Sequence, residues 1–258
     1  MDSQKLLELL RKSTKEIIGG EAAVAVAYSG GVDSSIIARI ASEFSRVMCY
    51  AGAMPESYDA RNSKVFAARE NLNLTTLTID REELAEAVAR ASVVMGSHDP
   101  VKIAYTVPVM LVIERSKEPL VLIGNGADEL FAGYAKYASL DDPNRMMEDD
   151  LRKMLEEVKR LDVLAASIGK RLGYPFVSSE MLSFARETPL SDKISSSGRK
   201  LILRDAAKLL GLESHPRPKK AAQYSSGVMR EMERLAKSEG LSLRAWLERT
   251  TSDEERSP

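Results

Sequence analysis

AAVAVAYSGGVDSS, residues 22–35, runs from small and β-branched apolar residues through two glycines to an acid and two hydroxyls. The apolar block, 22–28, predicts a strand buried on both faces, as in a parallel sheet. Residues 29–33 predict a glycine turn, and 34–44 a helix. A strand, a tight turn and a helix start in that order are the context an anion-binding loop needs. Gly30 and Gly31 let backbone N–H groups come close to a phosphate, and Ser29, Ser34 and Ser35 supply short hydroxyl donors. Asp33 would repel a phosphate unless it holds Mg2+, which bridges to phosphate oxygens. The stretch lacks the GK[ST] ending of a γ-phosphate cradle. The plainer alternative is an ordinary glycine turn at a helix start.

The same alternation extends outward. Upstream, 4–18 has helical spacing and stops at Gly19 and Gly20. Downstream, strands are expected at 47–50, 74–79 and 120–123, and helices at 59–70, 82–94 and 104–116. This predicts an α/β fold: a Rossmann-like parallel sheet with helices on both faces. After residue 137 the character changes. Residues 138–150, ASLDDPNRMMEDD, read as a hinge or exposed loop. Beyond them no strand is expected, only amphipathic helices near 151–161, 200–210 and 227–246, with a loop at 195–198. The expected organisation is a nucleotide-binding α/β domain over 1–140, a helical part over 141–250 that completes the same site, and a disordered tail over 251–258.

Composition narrows the class. The chain has 258 residues, 44% hydrophobic and 29% charged, with a net charge of −1. That balance fits a folded soluble chain and gives no bulk positive field for nucleic acid. One Cys and two His exclude a disulfide framework, a CxxC site and a His-based metal site. The longest apolar run, 107–113, is too short for a bilayer, and the N-terminus has no signal-peptide core. A cytoplasmic protein with no nucleic-acid or membrane partner is expected.

A second motif, GNGADELFAGY at 124–134, follows the last predicted strand. Ligands of open α/β sheets bind at that carboxyl edge, so Asp128 and Glu129 should share a rim with Asp33. Acids facing a polyphosphate suit a Mg2+ site better than an acid–base pair. A helix start favoured by the macrodipole is the bland alternative.

SGGVDSS resembles the PP-loop of ATP pyrophosphatases, of the adenine nucleotide α-hydrolase-like fold, and GNGADELFAGY resembles the corresponding motif of the asparagine synthetase family. Further stretches resemble that family in order: AGAMPESYDA (51–60), HDPVKIAYTVP (98–108), YPFVSSEMLSFARETP (174–189), GRKLILRDAA (198–207) and RPKKAAQYSSG (217–227). The resemblance implies an amide-forming ligase. A substrate carboxylate attacks the α-phosphate of ATP, and ammonia or an amine then displaces AMP. It implies that Ser29, Gly30, Gly31, Ser34 and Ser35 bind pyrophosphate and that Asp33 and Asp128 hold Mg2+. Lys219 or Lys220 would stabilise charge on the α-phosphate, although a solvated basic loop is the alternative for that pair. The backbone at Ala51 and Gly52, with Gly124, Asn125 and Gly126, would contact the nucleotide. ATP, Mg2+ and a small carboxylic acid, aspartate first, are the implied ligands, and a second copy of the chain is the remaining partner considered.

Three departures matter. The family carries a glutaminase domain with an N-terminal cysteine, whereas this chain begins Met-Asp and Cys49 reads as a core thiol. Free ammonia, a separate glutaminase or an amine-bearing substrate is therefore expected as nitrogen source. The family's acid between the glycines of the second motif is replaced by Asn125, which cannot act as a base. The family's acid ahead of PF is replaced by Gly169-Lys170-Arg171, where Lys170 or Arg171 either holds a substrate carboxylate or neutralises a helix end, the preferred reading. A tRNA-modifying PP-loop enzyme and a non-catalytic nucleotide-binding subunit are the other readings. The first normally adds CxxC pairs or basic regions, which are absent here.

Overall fold

A computed structural model of the chain describes residues 2–139, 141–213 and 222–255. Helix α1 (Ser3–Ile18) leads into β1 (Ala23–Ala27), α2 (Val32–Ala41), β2 (Arg46–Ala53), α3 (Tyr58–Arg69) and β3 (Leu74–Thr78). Helices α4 (Arg81–Met95) and α5 (Pro100–Arg115) then carry the chain back to β4 (Leu120–Leu122). Short α6 (Ala127–Leu130) and long α7 (Pro143–Ser167) follow, then β5 (Arg171–Gly173). The sheet has five strands in the order β3-β2-β1-β4-β5, every pair parallel. The expected α/β architecture is present.

Alternation within β1 sets the two layers. Val24 and Val26 face a core built from α1, α2 and later helices, with Leu6, Leu10, Ile36 and Ile40 among its members. Ala25 faces the opposite core, with Leu84, Ile103, Leu111 and Trp246. Both layers exclude water from the strand, which is why its residues are apolar on either side. Helices α8 (Ser179–Glu187) and α10 (Leu201–Leu209) join the first layer, and α12 (Val228–Ser238) and α13 (Leu243–Glu255) join the second. Between them lie α9 (Leu190–Lys193), a two-stranded hairpin of β6 (Ile194–Ser195) and β7 (Gly198–Arg199), and α11 (Ala222–Ser225).

Three sequence expectations are corrected. A strand does occur after residue 150: β5 pairs with β4 through Leu120–Arg171, Val121–Leu172 and Leu122–Gly173. It is a three-residue edge strand with a charged start, too short to leave a periodic signal. Gly173 is glycine because a Cβ there would lie 2.4 Å from Ile17 Cγ2, where α1 crosses the strand. The division at residue 140 therefore does not separate sheet from helices. Residues 195–198 form the strands and turn of the hairpin rather than an open loop. The expected tail is helical through Glu255, because Trp246 and Leu247 are fully buried against α4 and Thr251 Oγ1 bonds back to Leu247 O. Among the described residues no helix is long and apolar enough to cross a membrane.

Candidate active site

The strand order reverses between β1 and β4. The loops leaving these two strands border the crevice position at the carboxyl edge, where ligands of such sheets usually bind. The first wall is residues 29–31. Gly30 takes φ +70, which only glycine adopts cheaply. Gly31 caps α2 with extended backbone and no side-chain hydrogen bond. Ser34 Oγ accepts from Ser29 N at 3.3 Å and donates to Gly31 O at 3.1 Å, closing the loop on itself. The first-turn N–H groups of α2, uncapped by any side chain, are thus directed toward the crevice with the positive end of the helix dipole.

The second wall is residues 124–126. A Cβ on Gly124 would touch Asp33 Cβ at 3.5 Å, so the two loops meet. Gly126, at φ +92, starts α6 and packs on Val177 and Phe176, which brings the 174–189 segment to the rim. Asp33, on the first turn of α2, and Asp128, on α6, face one another across the crevice. The ammonium of Lys200 lies between them, 2.5 Å from Asp33 Oδ2 and 2.8 Å from Asp128 Oδ1. Lys200 is 2% exposed and sits at φ +55 as the N-cap of α10. Burial pushes its ammonium below the ordinary lysine range, and the adjacent Asp33 opposes that push.

Gly133 makes room for this cluster. A Cβ there would fall 1.7 Å from Asp128 Oδ1 and 2.4 Å from Lys200 Cε. Arg199 Nη1 donates to Gly133 O, and Arg204 Nε donates to Arg199 O, so two guanidinium groups brace the same corner. Glu129 is buried behind Asp128 and accepts from Tyr134 OH at 2.7 Å. Burial raises its carboxyl above the usual range, with the Tyr134 bond opposing.

The donor set fits a divalent cation carried by a polyphosphate. Both acids offer hard oxygens, and Asp33 Oδ1 is buried without a hydrogen-bond partner. Among the described residues no group of three or more acidic, His or Cys side chains forms a self-sufficient metal cage. Two carboxylates with ligand phosphates completing the shell is the usual magnesium arrangement.

The remaining sequence candidates divide. Ser29, Gly30, Gly31, Asp33, Ser34, Gly124, Asn125, Gly126 and Asp128 come together at the crevice. Ser35 turns away: it is fully buried and its Oγ donates to Tyr28 OH, which donates to Glu70. Its position one step around the helix from Ser34 puts it on the core face. Gly52 has a packing reason for its size, since a Cβ would lie 2.2 Å from Pro108 O of α5. Ala51 is buried beside it. The neighbouring Met54 N donates to Ser226 O, and Ser225 Oγ donates to Asp59, which ties the segment after residue 222 to the β2–α3 loop. Lys219 and Lys220 lie outside the described residues. Lys170 donates to Ile113 O and Ser116 O at the end of α5, and Arg171 pairs with Glu21. Both cations are thus taken up in structural contacts, Lys170 as a helix-end cation. Lys200, Arg199, Arg204 and Gly133 were not expected as site residues. Their signal was present as the cations of GRKLILR, but its meaning depended on a hairpin folding those cations back onto Asp33.

The asparagine synthase family model matches residues 5–142. A Methanocaldococcus jannaschii protein named for glutamine-hydrolysing asparagine synthetase is 31% identical over 278 residues, covering 90% of this chain and 51% of that protein. Escherichia coli asparagine synthetase B is 23% identical over 251 residues, covering 88% of this chain and 45% of its own. Asparagine synthetase domain-containing protein 1 of Gallus gallus is 33% identical over 127 residues, covering 44% and 20%. The chain spans about half the length of the M. jannaschii relative.

Proposed function

Since the chain belongs to the asparagine synthase family, we propose that it is an ATP-dependent amide-forming ligase that works through an acyl-adenylate. The observation that supports this most is the acid pair Asp33–Asp128, set around a buried cation beside the uncapped start of α2. In the first step a carboxylate oxygen of the substrate attacks the α-phosphorus of ATP. The new C(O)–O–P bond forms as the Pα–O bond to the β-phosphate breaks, and pyrophosphate leaves with the bonding electrons. In the second step an amine attacks the acyl carbon. The C–O bond to AMP breaks with its electrons going to the AMP phosphate, the amine gives up a proton to solvent, and the amide and AMP depart.

The chain's own groups divide these tasks. The amides of residues 30–34, with the Ser29 and Ser34 hydroxyls, hold pyrophosphate at the positive end of α2. Asp33 and Asp128 hold Mg2+, which when bound offsets charge on the leaving pyrophosphate. Lys219 or Lys220 is assigned to the α-phosphate, where a preorganised cation lowers the barrier. Asn125 supplies only amide hydrogen bonds, so it orients the incoming nitrogen and takes no proton. Aspartate is the first acid to test, with free ammonia or a separate glutaminase as nitrogen source. Residues 1–140 bind the nucleotide and 141–250 complete the pocket.

Pyrophosphate–ATP exchange across a panel of small carboxylic acids tests this reading. Exchange that requires one acid of the panel and Mg2+ is the expected outcome. Pyrophosphate release that needs tRNA and no acid would replace it with a base-modifying reaction.

A further inference from the structure

We propose that Lys200 is a stand-in cation: in the nucleotide-free protein its ammonium fills the place between Asp33 and Asp128 that a divalent ion would take, so metal enters only together with a nucleotide. The inference rests on reading that acid pair as the metal site.

Lys200 is placed for this by backbone as well as by charge. It follows directly on the β6–β7 hairpin and opens α10 in a left-handed conformation that a lysine adopts only when its surroundings impose it. Arg199, the preceding residue, is fastened to Gly133 O, and the missing Cβ of Gly133 leaves the volume that the lysine stem and Asp128 share. The ammonium contacts one oxygen of each acid, at 2.5 and 2.8 Å. It leaves Asp33 Oδ1 buried and unbonded. The ammonium thus joins the two acids while one oxygen of Asp33 stays available.

A dication and this ammonium exclude one another. Both would need the same two carboxylates, and two cations at contact distance in a buried site repel strongly. Displacing the ammonium alone would leave it buried and unpaired, which a free metal ion cannot repay. A metal–polyphosphate complex brings net negative charge along with the metal, and that charge gives the displaced ammonium a new partner. Metal and nucleotide affinities are therefore coupled, each raising the other by the same factor.

Equilibrium dialysis of the full chain against Mn2+, with and without α,β-methylene-ATP, tests this. Lys200→Met should bind Mn2+ without nucleotide at least about tenfold more tightly than the wild type, within the usual range of such coupling. Adding Asp33→Asn to Lys200→Met should remove that binding. Wild type that binds Mn2+ alone as tightly as Lys200→Met, or Lys200→Met that binds it as weakly as wild type, overturns the inference. Should Lys200→Met not fold, wild type alone decides: an Asp33-dependent Mn2+ site of equal affinity with and without nucleotide overturns it, and a site seen only with nucleotide supports it. Binding of the nucleotide with no Asp33-dependent Mn2+ under any condition would instead overturn the reading of the acids as metal ligands.

Discussion

Lys200 brings a positive charge into the interior, where Asp33 and Asp128 are close enough to hold it. The corner tolerates no added volume. Gly133→Ala would drive a methyl group onto Asp128 Oδ1 and Lys200 Cε, and should destabilise the protein by about 1–3 kcal/mol. Urea unfolding checks the stability, and pyrophosphate exchange should fall with it because the acids must separate. Asp33→Asn should reduce exchange by about 100-fold or more, the scale lost with one electrostatic stabiliser. A second buried lysine gives a prediction in pH. Burial pushes the Lys193 ammonium from 10.5 down to about 8, with Glu148 opposing. Below pH 8 both folded and unfolded states are protonated, and the full penalty of burying the charge is present. Between about 8 and 10.5 the unfolded state binds more protons, so stability rises with pH. Lys193→Met should therefore be more stable than wild type at pH 7 by roughly 1–3 kcal/mol, and the gap should close by pH 10. An unchanged gap in urea unfolding at the two pH values would contradict this. Asp33 and Asp128 were legible in the sequence because each sits in a motif at a strand end. Lys200 was not, because its role depends on a left-handed turn and a hairpin that bring residues 167 positions apart into contact.

Helix ends and strand crossings explain most of what else was and was not legible. The alternation of AVAVA in β1, with Gly30 and Gly31 after it, predicted a buried parallel strand and a tight turn into α2, and both are present. Gly-Lys-Arg at 169–171 was harder, since three residues joining an edge strand carry no period. Lys170 reaches the final carbonyls of α5, where a cation offsets the negative end of the helix. Lys170→Met should cost about 1–2 kcal/mol in unfolding experiments through the lost hydrogen bonds. It should leave pyrophosphate exchange at the wild-type rate, an outcome that separates a helix-end cation from a substrate-binding one. Gly52 was read as a backbone contact to nucleotide, and its smallness has a separate packing reason in Pro108 O. That packing reason depends on the way α5 crosses β2, which no local pattern encodes.

Across the molecule, sequence separation and spatial proximity part company at the crevice. Strands β1 and β4 are neighbours although the whole β2–α5 excursion lies between them, and the reversal of strand order puts both motifs at one edge. The α/β class could be read from alternating strands and helices, but β5 and the return of residues 194–204 to the rim could not. The part of the chain after residue 140 thus supplies an edge strand, the cation between the acids and the braces around it. The proposed adenylation would move oxygen in a defined direction. Incubation with ATP, ammonia and a panel of small acids labelled with 18O in their carboxylates should give AMP carrying one 18O and unlabelled pyrophosphate. Release of ADP and labelled inorganic phosphate, or of AMP without label, would contradict it.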